Sequence, residues 1–139
     1  MQIDTSSEFG ARVARRLADD PIGWLITVSS DGTPQPSPVW FLWDGETALI
    51  YSQPNTPKLR HIAANPRVSL HLDGDGRGGD IVILTGEARV DTSTPPADQN
   101  PTYIGKYAGG IQQIGMTPAS FAQAYSVPVR FTPAKLRGH

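Results

Sequence analysis

Apolar residues near the start of the chain follow a helical period. Phe9, Val13 and Leu17 stand at i, i+4 and i+8, which predicts an amphipathic helix from about Glu8 to Ala18, capped by Ser6 or Ser7. Arg12, Arg15 and Arg16 fall off that stripe and read as a solvated face. The period then shortens to that of β-structure. Trp24 to Ser30, Pro34 to Trp43 and Glu46 to Ser52 are β-rich runs separated by Asp31-Gly32 and Asp44-Gly45, the dipeptides of tight hairpin turns. Val68, Leu70 and Leu72 alternate along a fourth strand, Arg67 to Leu72, which turns His71 to the opposite face.

A short helix is expected between the third and fourth strands. Thr56 suits its N-cap and Pro57 its first turn, where a missing N–H costs nothing; Asn65-Pro66 ends it. Within it Lys58 and His61 share one face, while Leu59, Ile62 and Ala63 share the buried one. Further on, Asp73 to Gly79 is a glycine-rich loop. It lacks the lysine of a phosphate-binding loop and follows an antiparallel-type strand, so it reads as a connection. Ile81 to Val90 is a long strand in which Gly86 marks a bulge or corner. A linker, Thr92 to Pro101, leads to helical sequence from Thr102 to Ala124, broken at Gly109-Gly110 and again at Gly115 to Pro118. Val127 to Arg137 is the last strand, and Pro128 and Pro133 favour an edge or bulged position for it.

The pattern predicts a mainly β domain spanning residues 1–139, with about six strands, mostly joined by hairpins, and two or three peripheral helices. A small closed or split antiparallel barrel satisfies it. Composition removes several function classes. A net charge of −1 argues against bulk electrostatic binding of nucleic acid or of a membrane surface. No apolar run approaches the length of a membrane span, and the N-terminus lacks a signal-peptide pattern, so a cytoplasmic location is expected. The absence of cysteine excludes disulfides and thiolate chemistry.

Side-chain catalysis has little to build on. No serine sits in a nucleophile elbow, and no histidine–carboxylate cluster suggests a metal site. The chemistry is therefore expected from a bound cofactor. The start of the Thr56–Asn65 helix offers unpaired N–H groups and a partial positive charge, reinforced by Lys58, Arg60 and His61. That combination suits a phosphate. The second strand, Pro34-Gln-Pro-Ser-Pro-Val-Trp-Phe-Leu-Trp43, carries prolines that prevent normal pairing on both sides. Free backbone N–H groups there, with Trp40, Phe41 and Trp43 as walls, would accommodate a flat ring.

Taken together, the Asp-Gly turns, the Pro-Val-Trp-Phe run, Tyr51-Ser52, Thr56-x-Lys58 and Asn65-Pro-Arg67 resemble the split-barrel family of pyridoxamine 5′-phosphate oxidase, and within it the short actinobacterial branch that uses the deazaflavin coenzyme F420. The resemblance implies a six-stranded antiparallel split β-barrel of the FMN-binding type, and a homodimer with cofactor sites at the subunit interface. It implies that Gln35, Pro36, Ser37, Pro38 and Val39 run along the cofactor ring, and that Tyr51, Ser52 and Gln53 line the cofactor. Thr56 and Lys58 match the phosphate turn, followed by Arg60 or His61. The second strand carries none of the basic residues with which the pyridoxamine oxidase branch holds FMN, and the turn reads Thr-Pro-Lys instead of Ser-Arg-Lys. Both departures favour coenzyme F420 over FMN. The implied activity is hydride transfer from reduced F420 to an unsaturated small-molecule substrate, with Tyr103 or Tyr107 as candidate proton source. An FMN-dependent oxidase or flavin reductase, and a non-catalytic barrel holding a cofactor or haem, are the alternatives.

Overall fold

The alternating segments pair as one seven-stranded antiparallel sheet that curls into a half-barrel, seen in a computed structural model describing residues 1–139. Helix α1 (Glu8–Asp19) precedes strands β1 (Gly23–Val28), β2 (Pro34–Val39), β3 (Leu42–Trp43) and β4 (Ala48–Ser52). Helix α2 (Pro57–Ala64) leads to β5 (Arg67–His71) and β6 (Val82–Val90), and α3 (Pro101–Gln113) and α4 (Pro118–Ala124) precede β7 (Val127–Gly138). The order across the sheet is β2-β1-β5-β6-β7-β4-β3. No helix is long and apolar enough to cross a membrane.

The strand count is seven rather than six because the expected second strand breaks at Trp40-Phe41. There, helix α3 takes over the backbone. The Phe41 N–H donates to the Tyr107 hydroxyl at 2.8 Å, and the Lys106 ammonium donates to the Phe41 carbonyl at 2.8 Å. Beyond the break, Leu42 and Trp43 pair with β4 instead of β1.

Strand β2 is an edge strand held only by β1, with Pro34, Pro36 and Pro38 opposite Val28, Ile26 and Trp24. Proline has no N–H, so the hydrogen-bonded pairs of this ladder are the alternate ones: Thr27–Gln35, Leu25–Ser37 and Gly23–Val39. The Ser29 N–H donates to the Thr33 carbonyl in the same phase, at 3.0 Å. The free edge therefore presents carbonyl oxygens and no donors. This corrects the expectation of free N–H groups along Gln35 to Val39, because those N–H groups face β1.

The last strand is interior rather than an edge, since β7 pairs with both β6 and β4. Pro133 is accommodated by a bulge where it faces Gly86, and Pro128 lies opposite Tyr51 of β4, beyond the last pair with β6. A Cβ on Gly86 would stand 2.1 Å from the Thr132 carbonyl oxygen, so only glycine fits this close approach. The expected break at Gly109-Gly110 is also absent, and α3 runs through both residues. A Cβ on Gly110 would lie 3.1 Å from the Trp40 ring, so this glycine seats the indole against the helix.

Strand β4 is buried along its whole length because it carries two cores. Ala48 and Ile50 face the sheet interior with Leu25, Leu70, Leu84 and Phe131. Leu49 and Tyr51 face α3 and α4, packing with Tyr103, Tyr107, Ile111 and Phe121. Helix α1 buries Val13 and Leu17 in the first core, as its period requires. Its arginines are not uniformly solvated. Arg16 donates to the carbonyls of Asp80 and Asp73 and pairs with Asp20, tying the helix to the loop before β6.

Candidate functional site

Two concavities meet at the start of α2. The larger, about 360 Å³, opens between the end of β2, the end of β4 and the layer of α3 and α4. The smaller, about 220 Å³, lies between β2 and α2 and is lined by Thr27, Gln35, Pro36, Ser37, Lys58 and His61, with Pro57 at its edge. Lys58 lines both.

The local sequence explains why the lysine stands there. Strand β4 ends at Ser52, and Asn55 adopts a left-handed backbone with φ 63° in the turn that follows. Thr56 then caps α2 through its position alone, for its side chain makes no capping bond and instead lies 3.2 Å from the Ser52 hydroxyl. Pro57 has no N–H to lose, and the Lys58 N–H finds no protein acceptor. The lysine ammonium likewise forms no hydrogen bond or ion pair and is half-buried, and burial holds its pKa below the ordinary lysine value. A partly desolvated cation without a partner, beside an open helix N-terminus, is an incomplete electrostatic arrangement that an anion completes.

The residues expected from sequence divide between the two spaces. Pro38, Val39, Tyr51, Ser52, Gln53 and Thr56 line the larger one. Gln35, Pro36, Ser37 and His61 line the smaller. His61 is held through Nδ1, which lies 2.8 Å from the hydroxyl of Thr27, a residue 1% exposed; Nε2 has no protein partner. Arg60 lines neither space; it is exposed and donates back to the Asn55 carbonyl. Ala63 is exposed rather than buried with Leu59 and Ile62, because the eight-residue helix packs only a narrow face on the sheet. Tyr51 contributes its ring and not its hydroxyl, which donates to the Pro95 carbonyl at 2.7 Å.

Lys58 shares the larger cavity with an aromatic wall of which Trp40, Phe121 and Tyr125 form the lining. Trp40 stacks on Tyr107 with centroids 4.7 Å apart and planes at 5°, and on Phe121 at 5.5 Å. Phe121 stacks in turn on Tyr125 at 4.5 Å. Of the two tyrosines considered as proton sources, Tyr107 is committed to the backbone: its hydroxyl accepts from the Phe41 N–H and lies within 2.9 Å of the carbonyls of Pro21 and Phe41. Tyr103 lines the cavity, is fully buried, and has a hydroxyl with no partner. Phe121, Tyr125, Ile114 and Thr27 were not singled out from sequence. The i, i+4 aromatic pair Phe121 and Tyr125 was the available signal; Thr27 carries none, being one more residue of an alternating strand.

The model of the family described as pyridoxamine 5′-phosphate oxidase matches residues 9–137. Among solved structures, the conserved hypothetical protein Rv2991 of Mycobacterium tuberculosis is similar at 25% identity and TM-score 0.71, over 94% of this chain and 82% of that one. A protein described as an F420 reductase aligns at 24% identity and TM-score 0.65, covering 88% of this chain and 94% of that chain. An FAD-binding protein from Mesorhizobium loti aligns at 19% identity and TM-score 0.67, covering 91% of this chain and 90% of that chain. The last two likenesses concern the fold, a mainly β half-barrel with peripheral helices. A family match running from α1 almost to the end of β7 is a stronger statement, and by it this chain belongs to the pyridoxamine 5′-phosphate oxidase family.

Proposed function

We propose that this protein is an oxidoreductase that binds coenzyme F420 and uses its reduced form on an unsaturated small-molecule substrate. The observation that carries the reading is Lys58, a half-buried cation without a partner at the junction of the two concavities. Lys58 and its backbone N–H would hold the cofactor phosphate, with the hydroxyls of Thr56 and Ser52 alongside and His61 Nε2 on the far side. Arg60 and Arg67, both exposed, are available to the oligoglutamate tail. Reduced F420 supplies a hydride when bound. The protein supplies position: the donor-free edge of β2 meets ring N–H groups with carbonyls, and the aromatic wall orients the partner molecule and excludes water.

F420 is preferred to FMN because no basic residue on β2 backs up Lys58. The test is a side-by-side fluorescence titration. Coenzyme F420 is expected to bind more tightly than FMN, and the reverse order would overturn the assignment. Lys58→Ala is expected to weaken F420 binding by about 1.5–3 kcal/mol, the worth of a charge-assisted hydrogen bond. Unchanged affinity would remove Lys58 from the site.

The same reading takes the working unit to be a homodimer. Trp24, Ile26 and Val28 form a half-exposed stripe on β1, bordered by the exposed prolines of β2, and a second copy would cover it. Sedimentation equilibrium should give twice the chain mass. A monomer at micromolar concentration would refute the dimer.

A further inference from the structure

Strand β1 carries one residue that its alternation does not explain. Gly23, Leu25 and Thr27 occupy its buried face. Thr27 is 1% exposed, and apart from tyrosines it and Ser52 are the only buried polar residues. A valine would have the same shape there and bury no hydroxyl, so the polar atom calls for a partner. That partner is His61 Nδ1, 2.8 Å away, and the hydroxyl has no other. One contact in a buried setting fixes which atom donates. If Nδ1 carried the ring proton it would donate to the hydroxyl oxygen, and the hydroxyl proton would be buried unpaired. If Nδ1 is bare, the hydroxyl donates to it and the neutral ring bears its proton on Nε2. Nε2 has no protein partner, and His61 lines the smaller concavity together with Lys58, whose ammonium is also free. No carboxylate lines this space, while Gln35 and Ser37 bring further polar side chains to it.

We infer that Thr27 is a positioning residue for the anion site: its hydroxyl donates to His61 Nδ1 and holds a neutral imidazole whose Nε2–H donates to a phosphoryl oxygen in the smaller concavity, alongside the Lys58 ammonium. This rests on the reading of Lys58 as a phosphate anchor and adds the second donor to it. Thr27 acts only through the ring, by fixing both its tautomer and its orientation, as a hydrogen bond to one imidazole nitrogen does for the other.

The experiment uses the full-length chain without cofactor, and inorganic phosphate as the probe. Long-range proton–nitrogen NMR spectra at about pH 9, where imidazole is neutral, show which ring nitrogen is protonated in each of the three histidines, and His61→Ala identifies the signals of His61. The wild-type protein is expected to show Nε2 protonated and Nδ1 bare. Thr27→Val should lose that fixed pattern and Thr27→Ser should keep it. Phosphate is then titrated at constant ionic strength and followed through the Lys58 amide and, where present, the His61 ring. Thr27→Val should weaken binding about threefold to tenfold, the worth of one ordinary hydrogen bond, and Thr27→Ser should bind as the wild type does. In the His61→Ala background, Thr27→Val should cost nothing more. A proton on Nδ1, phosphate that leaves the His61 signals unmoved, or a Thr27→Val effect of equal size with and without His61 overturns the inference. Failure of the cofactor assignment would appear instead in the comparison of F420 with FMN, which leaves the tautomer and the phosphate titration untouched.

Discussion

Two tyrosines one helical turn apart on α3 should respond in opposite directions to the same one-atom deletion. In Tyr107→Phe the ring stays, but the Phe41 N–H loses its only acceptor, which lay at 2.8 Å in a buried setting. The Phe41 carbonyl keeps the Lys106 ammonium at 2.8 Å, whereas the Pro21 carbonyl loses the nearby hydroxyl. Orphaning the buried Phe41 N–H costs about 1–3 kcal/mol, whereas the carbonyl of exposed Pro21 turns to water, so the variant should lose about 1–3 kcal/mol. In Tyr103→Phe the deleted oxygen had no partner to abandon. Removing it relieves a desolvation cost, and the variant should gain about 1–2 kcal/mol. The assay is urea denaturation at fixed protein concentration, followed by fluorescence and by circular dichroism. Both variants should shift the midpoint with an unchanged m-value, because the surface exposed on unfolding is the same. The expected gap between them is about 2–5 kcal/mol. A destabilised Tyr103→Phe, or a neutral Tyr107→Phe, would refute the division of roles between the two hydroxyls.

The remaining predictions concern packing and charge. Gly109→Ala meets open space and should stabilise α3 by about 0.5–1 kcal/mol, whereas Gly110→Ala meets the Trp40 ring at 3.1 Å and should forfeit that gain; equal melting shifts would contradict the seating of Trp40 on Gly110. Lys106, half-buried with its ammonium 4.2 Å from the Phe41 ring centroid, has its pKa pushed down to about 8 by burial. Its unfolded pKa is higher, so the unfolded chain binds more protons above pH 8, and the group's contribution to stability rises from there until the pH reaches the ordinary lysine value of 10.5. Tyr103 and Tyr107, with pKa raised by burial, act the other way once pH exceeds the ordinary tyrosine value. The melting temperature should therefore climb above pH 8 and fall above about pH 10, and Lys106→Met should flatten the climb. An anion at Lys58 restores the charged form that burial disfavours, so F420 affinity should drop as pH rises through the lysine's depressed pKa, and Lys58→Ala should lose that dependence.

Local chemistry made much of the molecule legible before any tertiary contact was known. The turns at Asp31-Gly32 and Asp44-Gly45 require positive φ, and Gly32 and Gly45 adopt 86° and 98°. Thr56-Pro57 opens α2 and Asn65-Pro66 closes it because both signals act on the backbone of adjacent residues. The three prolines of β2 forbid a second neighbour, and β2 is an edge strand. Lys58 and His61 reach one concavity because a helix places residues three apart on one face.

Strand order and the use of individual polar groups were decided elsewhere. Prolines in β7 suggest an edge when read along the chain, yet β7 lies between β6 and β4 because the bulge at Gly86 absorbs Pro133. The same sequence signal, Gly-Gly, breaks no helix here because Trp40 packs on Gly110. Nothing local distinguishes Tyr103 from Tyr107; only the arrival of Phe41 beside α3 gives one hydroxyl a partner and leaves the other facing none. Periodicity, turns and caps depend on neighbours a few residues apart, so the amino-acid sequence determined the elements and the cationic start of α2. Which strands meet, and which buried polar group is left without a partner, depend on contacts across the whole chain, and the tertiary structure alone decided them.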